Sequence, residues 1–176
     1  MRIVHKLSLS FVLILLTLST LIGIVFWNSL SDLLINELES TGHGFAANLA
    51  ELSQEGIQTG NLYALYELAY LVKNKNSEIR YVLIMDTHGK LMVHTFTGGI
   101  PVKLMDAHPV PGTRPADMEI SVIRSNEGKI HDILYPIEQG ELGFIRIGMH
   151  EQGIKKTLFA NIGKVIWIVF SLGLMT

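Results

Sequence analysis

The sequence predicts an α+β chain: a long N-terminal helix packed on a five-stranded antiparallel sheet, flanked by transmembrane helices. Three observations predict it. Residues 7–27 contain no charged side chain, and about 20 apolar residues are enough to cross a bilayer as a helix. Beyond them, apolar residues recur every three or four positions to about residue 52, the period of an amphipathic helix. From residue 78 the period drops to two, in five short runs separated by turn residues, which reads as strands.

The first element, 7–27, is expected to be an uncleaved membrane anchor. Arg2, Lys6 and the terminal amine precede it, and Asp32, Glu37 and Glu39 follow it. The positive-inside rule then puts residues 1–6 in the cytosol and 28–160 on the outer side. A cleaved signal peptide would share the charged start and apolar core. Yet Val25-Phe26-Trp27 stand where a small-x-small cleavage site belongs. Residues 161–176 are read as the start of a second, truncated transmembrane helix, with the output part of the protein beyond it. Lys155 and Lys156 run against this orientation, lying on the supposed outer side.

The middle carries all 16 acidic residues and 11 of the 14 basic ones, a balance of −5. That argues against nucleic acid or an anionic lipid surface as its partner. The absence of cysteine excludes disulfides, thiolate metal sites and cysteine nucleophiles.

Along the middle, Leu30, Leu34, Leu38, Thr41, Phe45, Asn48 or Leu49, and Leu52 form one stripe of a helix. Gly42-His43-Gly44 interrupts it, and a glycine costs about 1 kcal/mol relative to alanine in a helix, so a bend or loosening is expected there. Gly60-Asn61 punctuates its end. A second helix is expected over 62–73, with Leu65, Leu68, Ala69 and Val72 on one side and Tyr63, Tyr66 and Tyr70 beside them. Residues 81–85 are apolar on both faces, which marks a strand covered on both sides. Asp86-Thr87-His88-Gly89 turns the chain into a partner strand over 91–95. A long irregular stretch, 96–115, holds four of the five prolines, and loops of this length in compact domains are usually functional or disordered. Strands over 118–124, 129–137 and 142–149 complete the sheet. The first and last strands, apolar on both faces, should sit side by side in its middle, with the helix on one face and the loop on the other.

That order resembles the Cache family of PAS-like extracytoplasmic sensor domains, over about residues 31–154. The residues that carry it are Tyr81-Val-Leu-Ile-Met-Asp-Thr-His-Gly-Lys-Leu-Met-Val-His-Thr-Phe96, Gly99-Ile-Pro101, Asp132-Ile-Leu-Tyr-Pro-Ile137 and Leu142-Gly-Phe-Ile-Arg-Ile-Gly-Met-His150. It looks like the single-Cache type of membrane-bound histidine kinases, chemoreceptors and diguanylate cyclases. The resemblance implies a small-molecule ligand, often a carboxylate or amino acid, held between sheet and covering loop. It also implies the inner membrane of a bacterium as the location.

The expected ligand-binding residues are His94, Thr95, Phe96, Lys103, Arg124, His131, Tyr135 and Arg146. His94-Thr95-Phe96 ends the second strand where the loop begins, giving a polar lip and an aromatic wall. Each of these has a plainer reading as a strand-end or surface residue. Arg146, on the strand expected to be central, would be a bidentate carboxylate anchor, or would simply pair with Asp132 or Glu119. Lys103 would close over a bound anion. His131 and Tyr135 share a strand face, and Arg124 lies near a strand end.

Seven histidines invite a metal, but none forms a His-x₃-His pair. Convergence of His94, His131 and Asp132 would have to come from the fold, so no metal or other cofactor is expected. No Gly-x-Ser-x-Gly, Walker or His-Glu-x-x-His motif is present, so no catalytic residue is expected. The long helix, in two copies, would pair the chain as a homodimer. The expected function is the ligand-sensing input of a transmembrane receptor, foremost a two-component sensor histidine kinase. The alternatives are the same sensor on a chemoreceptor or diguanylate cyclase, and a membrane-anchored structural or partner-binding module.

Overall fold

A computed structural model describes residues 2–100, 104, 117–126 and 128–151. The chain divides into two compact units, Met1–Glu37 and Leu38–Thr176. The first is the leading part of helix α1 (Arg2–Gln58). Phe11, Leu13, Ile14, Leu18, Leu21 and Ile22 are all exposed there. The Ser10 hydroxyl donates to the Lys6 carbonyl and the Thr17 hydroxyl to the Ile14 carbonyl, each at 2.9 Å. Polar side chains in this apolar stretch are thus satisfied by their own helix. The helix is long and apolar enough to cross a membrane, with a mean hydropathy of 1.6 in its best window within Thr17–Gln58. The expected second span, 161–176, lies outside the described residues.

The second unit is α+β and compatible with a PAS-like fold. It holds the end of α1, helix α2 (Leu62–Lys75) and strands β1 (Ile79–Met85), β2 (Leu91–His94), β3 (Glu119–Ser125), β4 (Gly128–Ile137) and β5 (Gly143–His150). The strands form one antiparallel sheet in the order β2-β1-β5-β4-β3. The two strands apolar on both faces, β1 and β5, are neighbours as expected, with Leu83 opposite Arg146 and Tyr81 opposite Gly148. The β1–β2 turn is locked by Asp86, whose Oδ1 accepts from the His88 and Lys90 amides at 2.8 Å. Helix α2 starts where Asn61 Oδ1 accepts from the Ala64 amide at 3.2 Å, an N-cap.

The helix side of the sheet buries Val82, Ile84, Ile133, Ile145, Ile147 and Met149 together with Leu38, Ala46 and Leu49 of α1 and Leu65 and Ala69 of α2. Here two expectations need correction. Helix α1 runs unbroken through Gly42-His43-Gly44, with no interruption there. A Cβ at Gly42 would collide with the side chains of Ile133 and Met149, so this glycine brings the helix backbone close to the sheet. The buried stripe is also rotated from the expected one. Leu38, Gly42, Ala46, Leu49, Ser53 and Gly56 face inward, whereas Leu52 is 51 % exposed.

The other side of the sheet gathers Tyr81, Leu83, Ile130 and Leu104, with Leu91, Phe96, Ile100 and Ile123 packed around them. Leu104, the described residue within 101–116, is buried.

Candidate functional site

Strand alternation sends Arg146 of β5 and Asp132 of β4 to the face opposite the helices, where Leu104 packs. Both are buried, at 2 % and 0 % exposure. Arg146 Nε donates to Asp132 Oδ2 at 3.0 Å, and Nη2 donates to the same oxygen and to the Leu104 carbonyl at 3.1 Å. An isolated buried charge costs several kcal/mol. The ion pair and the carbonyl together keep Arg146 from carrying that cost.

Tyr81 adjoins this pair. Its ring lies over Gly148, where a Cβ would strike it, so the glycine of the central strand makes the room that the tyrosine fills. Burial pushes the Tyr81 phenol well above its ordinary range. The Asp132 carboxylate adds to the rise and the Arg146 guanidinium opposes it. The hydroxyl therefore stays protonated, and it faces Asp132 without closing a hydrogen bond of normal geometry. Phe96 stacks on Tyr81, with centroids 5.2 Å apart and planes at 29°. His94 stands 6.4 Å from Phe96 and is half-buried, with an Nδ1 that is sealed from solvent and meets no hydrogen-bond partner. Tyr81 and the Arg146–Asp132 pair stand on the central strands, and Phe96 and His94 extend the cluster from the end of the edge strand β2. It combines a cation, an anion, a hydroxyl and an imidazole, which is chemistry suited to a small zwitterion or carboxylate.

The remaining expected residues fall elsewhere. Thr95 is fully buried, and its hydroxyl accepts from the Val82 amide at 2.9 Å while its own amide donates to the Val82 carbonyl at 3.1 Å. Lys73 Nζ of α2 donates to the Thr95 carbonyl at 2.9 Å. Thr95 therefore closes the β1–β2 ladder and ties it to α2. Arg124 is exposed on the edge strand β3. His131 and Tyr135 point to the helix side, away from Arg146. His131 lies between Glu39 of α1 (2.7 Å) and Glu151 (2.9 Å), and the Tyr135 ring lies 5.4 Å from that of His43. Lys103 is outside the described residues.

Among the described residues no cluster of three or more His, Asp or Glu side chains is arranged to hold a metal ion. His131 and Asp132, adjacent in β4, face opposite sides of the sheet, so they do not converge with His94. Among the described residues, open clefts of about 430, 370 and 570 Å³ lie on the helix side, between α1 and α2 and between α1 and the β4–β5 turn. They do not adjoin Arg146. They are lined largely by exposed side chains such as Leu52, Leu71 and Glu51, whereas Arg146 and Asp132 are buried.

Sequence reasoning missed the parts played by Tyr81, Glu39 and Glu151. For Tyr81 a signal existed: it is the one residue with a polar tip in an otherwise aliphatic run, opposite a glycine in the paired strand. For Glu39 and Glu151 no local signal exists, because three distant segments must meet. No family model matches the chain, and no curated protein is significantly similar to it.

Proposed function

We propose that this chain is the ligand-sensing input module of a transmembrane receptor, built as a single Cache domain. Its output is most simply that of a two-component histidine kinase in a bacterial inner membrane. A chemoreceptor or a diguanylate cyclase would use the same input. The observation that carries this reading is the buried Arg146–Asp132 pair beside Tyr81, on the central strands and bonded to the Leu104 carbonyl. Packing alone favours apolar residues there, since replacing such a pair by hydrophobic side chains is often neutral or stabilising. A small ligand with a carboxylate would compete for Arg146 against Asp132 and the Leu104 carbonyl, and so couple its binding to the placement of the loop. Strand β5 carries Arg146 and ends at His150, from which the chain continues toward residues 161–176. A ligand that favours one arrangement of loop and β5 would bias the exit segment by its differential affinity, typically about 1–3 kcal/mol.

One observation favours a second reading, a membrane-anchored scaffold. Arg146 is already satisfied by protein groups, as it would be if the pair were purely structural. A thermal-shift screen of the full chain in detergent, against organic acids, amino acids and divalent metals, separates the two. Under the sensor reading, at least one acid or amino acid raises the Tm of the wild type. That shift disappears in the His94→Ala variant and in the paired Arg146→Met, Asp132→Leu variant. A screen in which no compound moves the wild-type Tm supports the scaffold.

A further inference from the structure

The His131 cluster lies on the opposite side of the sheet from Arg146 and has no part in the ligand reading. It joins three segments far apart in sequence: Glu39 on α1, His131 on β4, and Glu151 immediately after β5. Nδ1 of His131 is 2.7 Å from Glu39 Oε1, and Nε2 is 2.9 Å from Glu151 Oε1. The side chains of His131 and Glu151 are each 4 % exposed and that of Glu39 is 26 % exposed.

Hydrogen-bond counting fixes the proton inventory. An ionised carboxylate only accepts, and a neutral imidazole donates from one nitrogen while the other carries a lone pair. Two contacts at these distances therefore require one proton more than a neutral ring with two carboxylates holds. When that proton leaves, one ring nitrogen faces a carboxylate oxygen lone pair to lone pair, and that contact has to open. Glu39 can turn to water. Glu151, only 4 % exposed, has no such access.

We propose that His131 is a proton-binding site that latches α1 to the end of β5. With the proton bound, the ring bridges Glu39 and Glu151. Without it, His131 keeps Glu151, Glu39 moves to solvent, and the link to α1 opens. The other groups facing the ring do not replace this proton. From α1 there is His43, its ring tilted against that of Tyr135; from β4, Lys129 and Tyr135 on the same strand face; from β3, Arg124 opposite Lys129. Lys129 and Arg124 are exposed and act through water and salt. Directly opposite His131 in the sheet stand Val122 and Met149, which carry no charge. The latch makes pH an input separate from any small ligand, acting between the incoming helix and the outgoing strand.

The chain has no cysteine, so a label pair can be placed cleanly. Ser40→Cys on α1 and Asn126→Cys in the β3–β4 turn are both exposed sites. With nitroxides at both, in the full chain reconstituted in nanodiscs, the distance distribution is read across about pH 5–9. The imidazole ¹⁵N shifts of His131 are followed in parallel. The expected result is one narrow distance at acid pH, and a broader, longer population that grows as the His131 ring loses its second proton. In Glu39→Gln the amide can accept from the ring N–H or donate to its lone pair, so the narrow distance should persist at every pH. A wild-type distribution that does not change with pH would overturn the latch. So would a Glu39→Gln variant that keeps the wild-type response.

Discussion

On the helix side of the sheet, Ile133, Ile145 and Ile147 pack with Leu38, Ala46 and Leu49 of α1, close against Gly42. On the loop side the same two strands turn Asp132 and Arg146 toward Tyr81 and Leu104. The first face answers a packing problem. Each fully buried aliphatic side chain contributes about 1.5–3 kcal/mol, and the small residues of α1 allow close approach. The second face places opposite charges where burial opposes them, and then satisfies them. The difference separates what the fold needs from what it tolerates. The helix side holds the larger apolar core, and the loop side adds to a smaller one chemistry that stability alone does not call for.

The contrast breaks most sharply at Asp132. Asp132→Ala leaves Arg146 buried with only the Leu104 carbonyl, and should cost about 3–5 kcal/mol in urea unfolding. The paired Arg146→Met, Asp132→Leu variant should be near neutral or more stable. If the double variant is as damaged as the single one, the loop face is a packing core like its counterpart. On the helix side, Gly42→Ala adds a Cβ against Ile133 and Met149. Overpacking costs about 1–3 kcal/mol, against about 1 kcal/mol regained from helix propensity. Net destabilisation is therefore expected despite the better helix former, and a more stable variant would return Gly42 to the role of a helix loosener. The smallest effect is alkaline. An unfolded tyrosine ionises near pH 10, whereas Tyr81 is held protonated in the fold. The folded state then binds the extra proton, so stability should fall by about 1.4 kcal/mol per pH unit above about pH 10. Tyr81→Phe should flatten that slope.

Much of the fold was legible in the residues. Doubly apolar β1 and β5 announced their central, adjacent places, and Asp86 and Asn61 marked a turn and a helix start by side-chain chemistry that works locally. The face of α1 was misread because large apolar side chains draw the eye, whereas the close approach selects small ones: Gly42, Ala46, Ser53 and Gly56 face inward while Leu52 does not. The candidate site was legible in part. Arg146 on a central strand and His94-Phe96 at the lip come together with Tyr81, while Thr95 proves to be a ladder closer. His131 and Tyr135 share a face, as alternation requires, but it is the opposite one from Arg146. Pairings such as Glu39 with His131 depend on the register of helix against sheet, which no window of sequence contains.

The strand order has a consequence for how the chain is made. The sheet consists of a leading hairpin, β1–β2, and a trailing meander, β3–β4–β5, and β1–β5 is the seam between them. That seam needs the last strand to be synthesised, so neither half can complete the core while the chain is still emerging. Contacts this distant in sequence slow folding. The leading helices and hairpin must therefore wait, with one edge of β1 unpaired, until β5 has been made. Assembly is then expected to be a single late closure rather than a stepwise accretion.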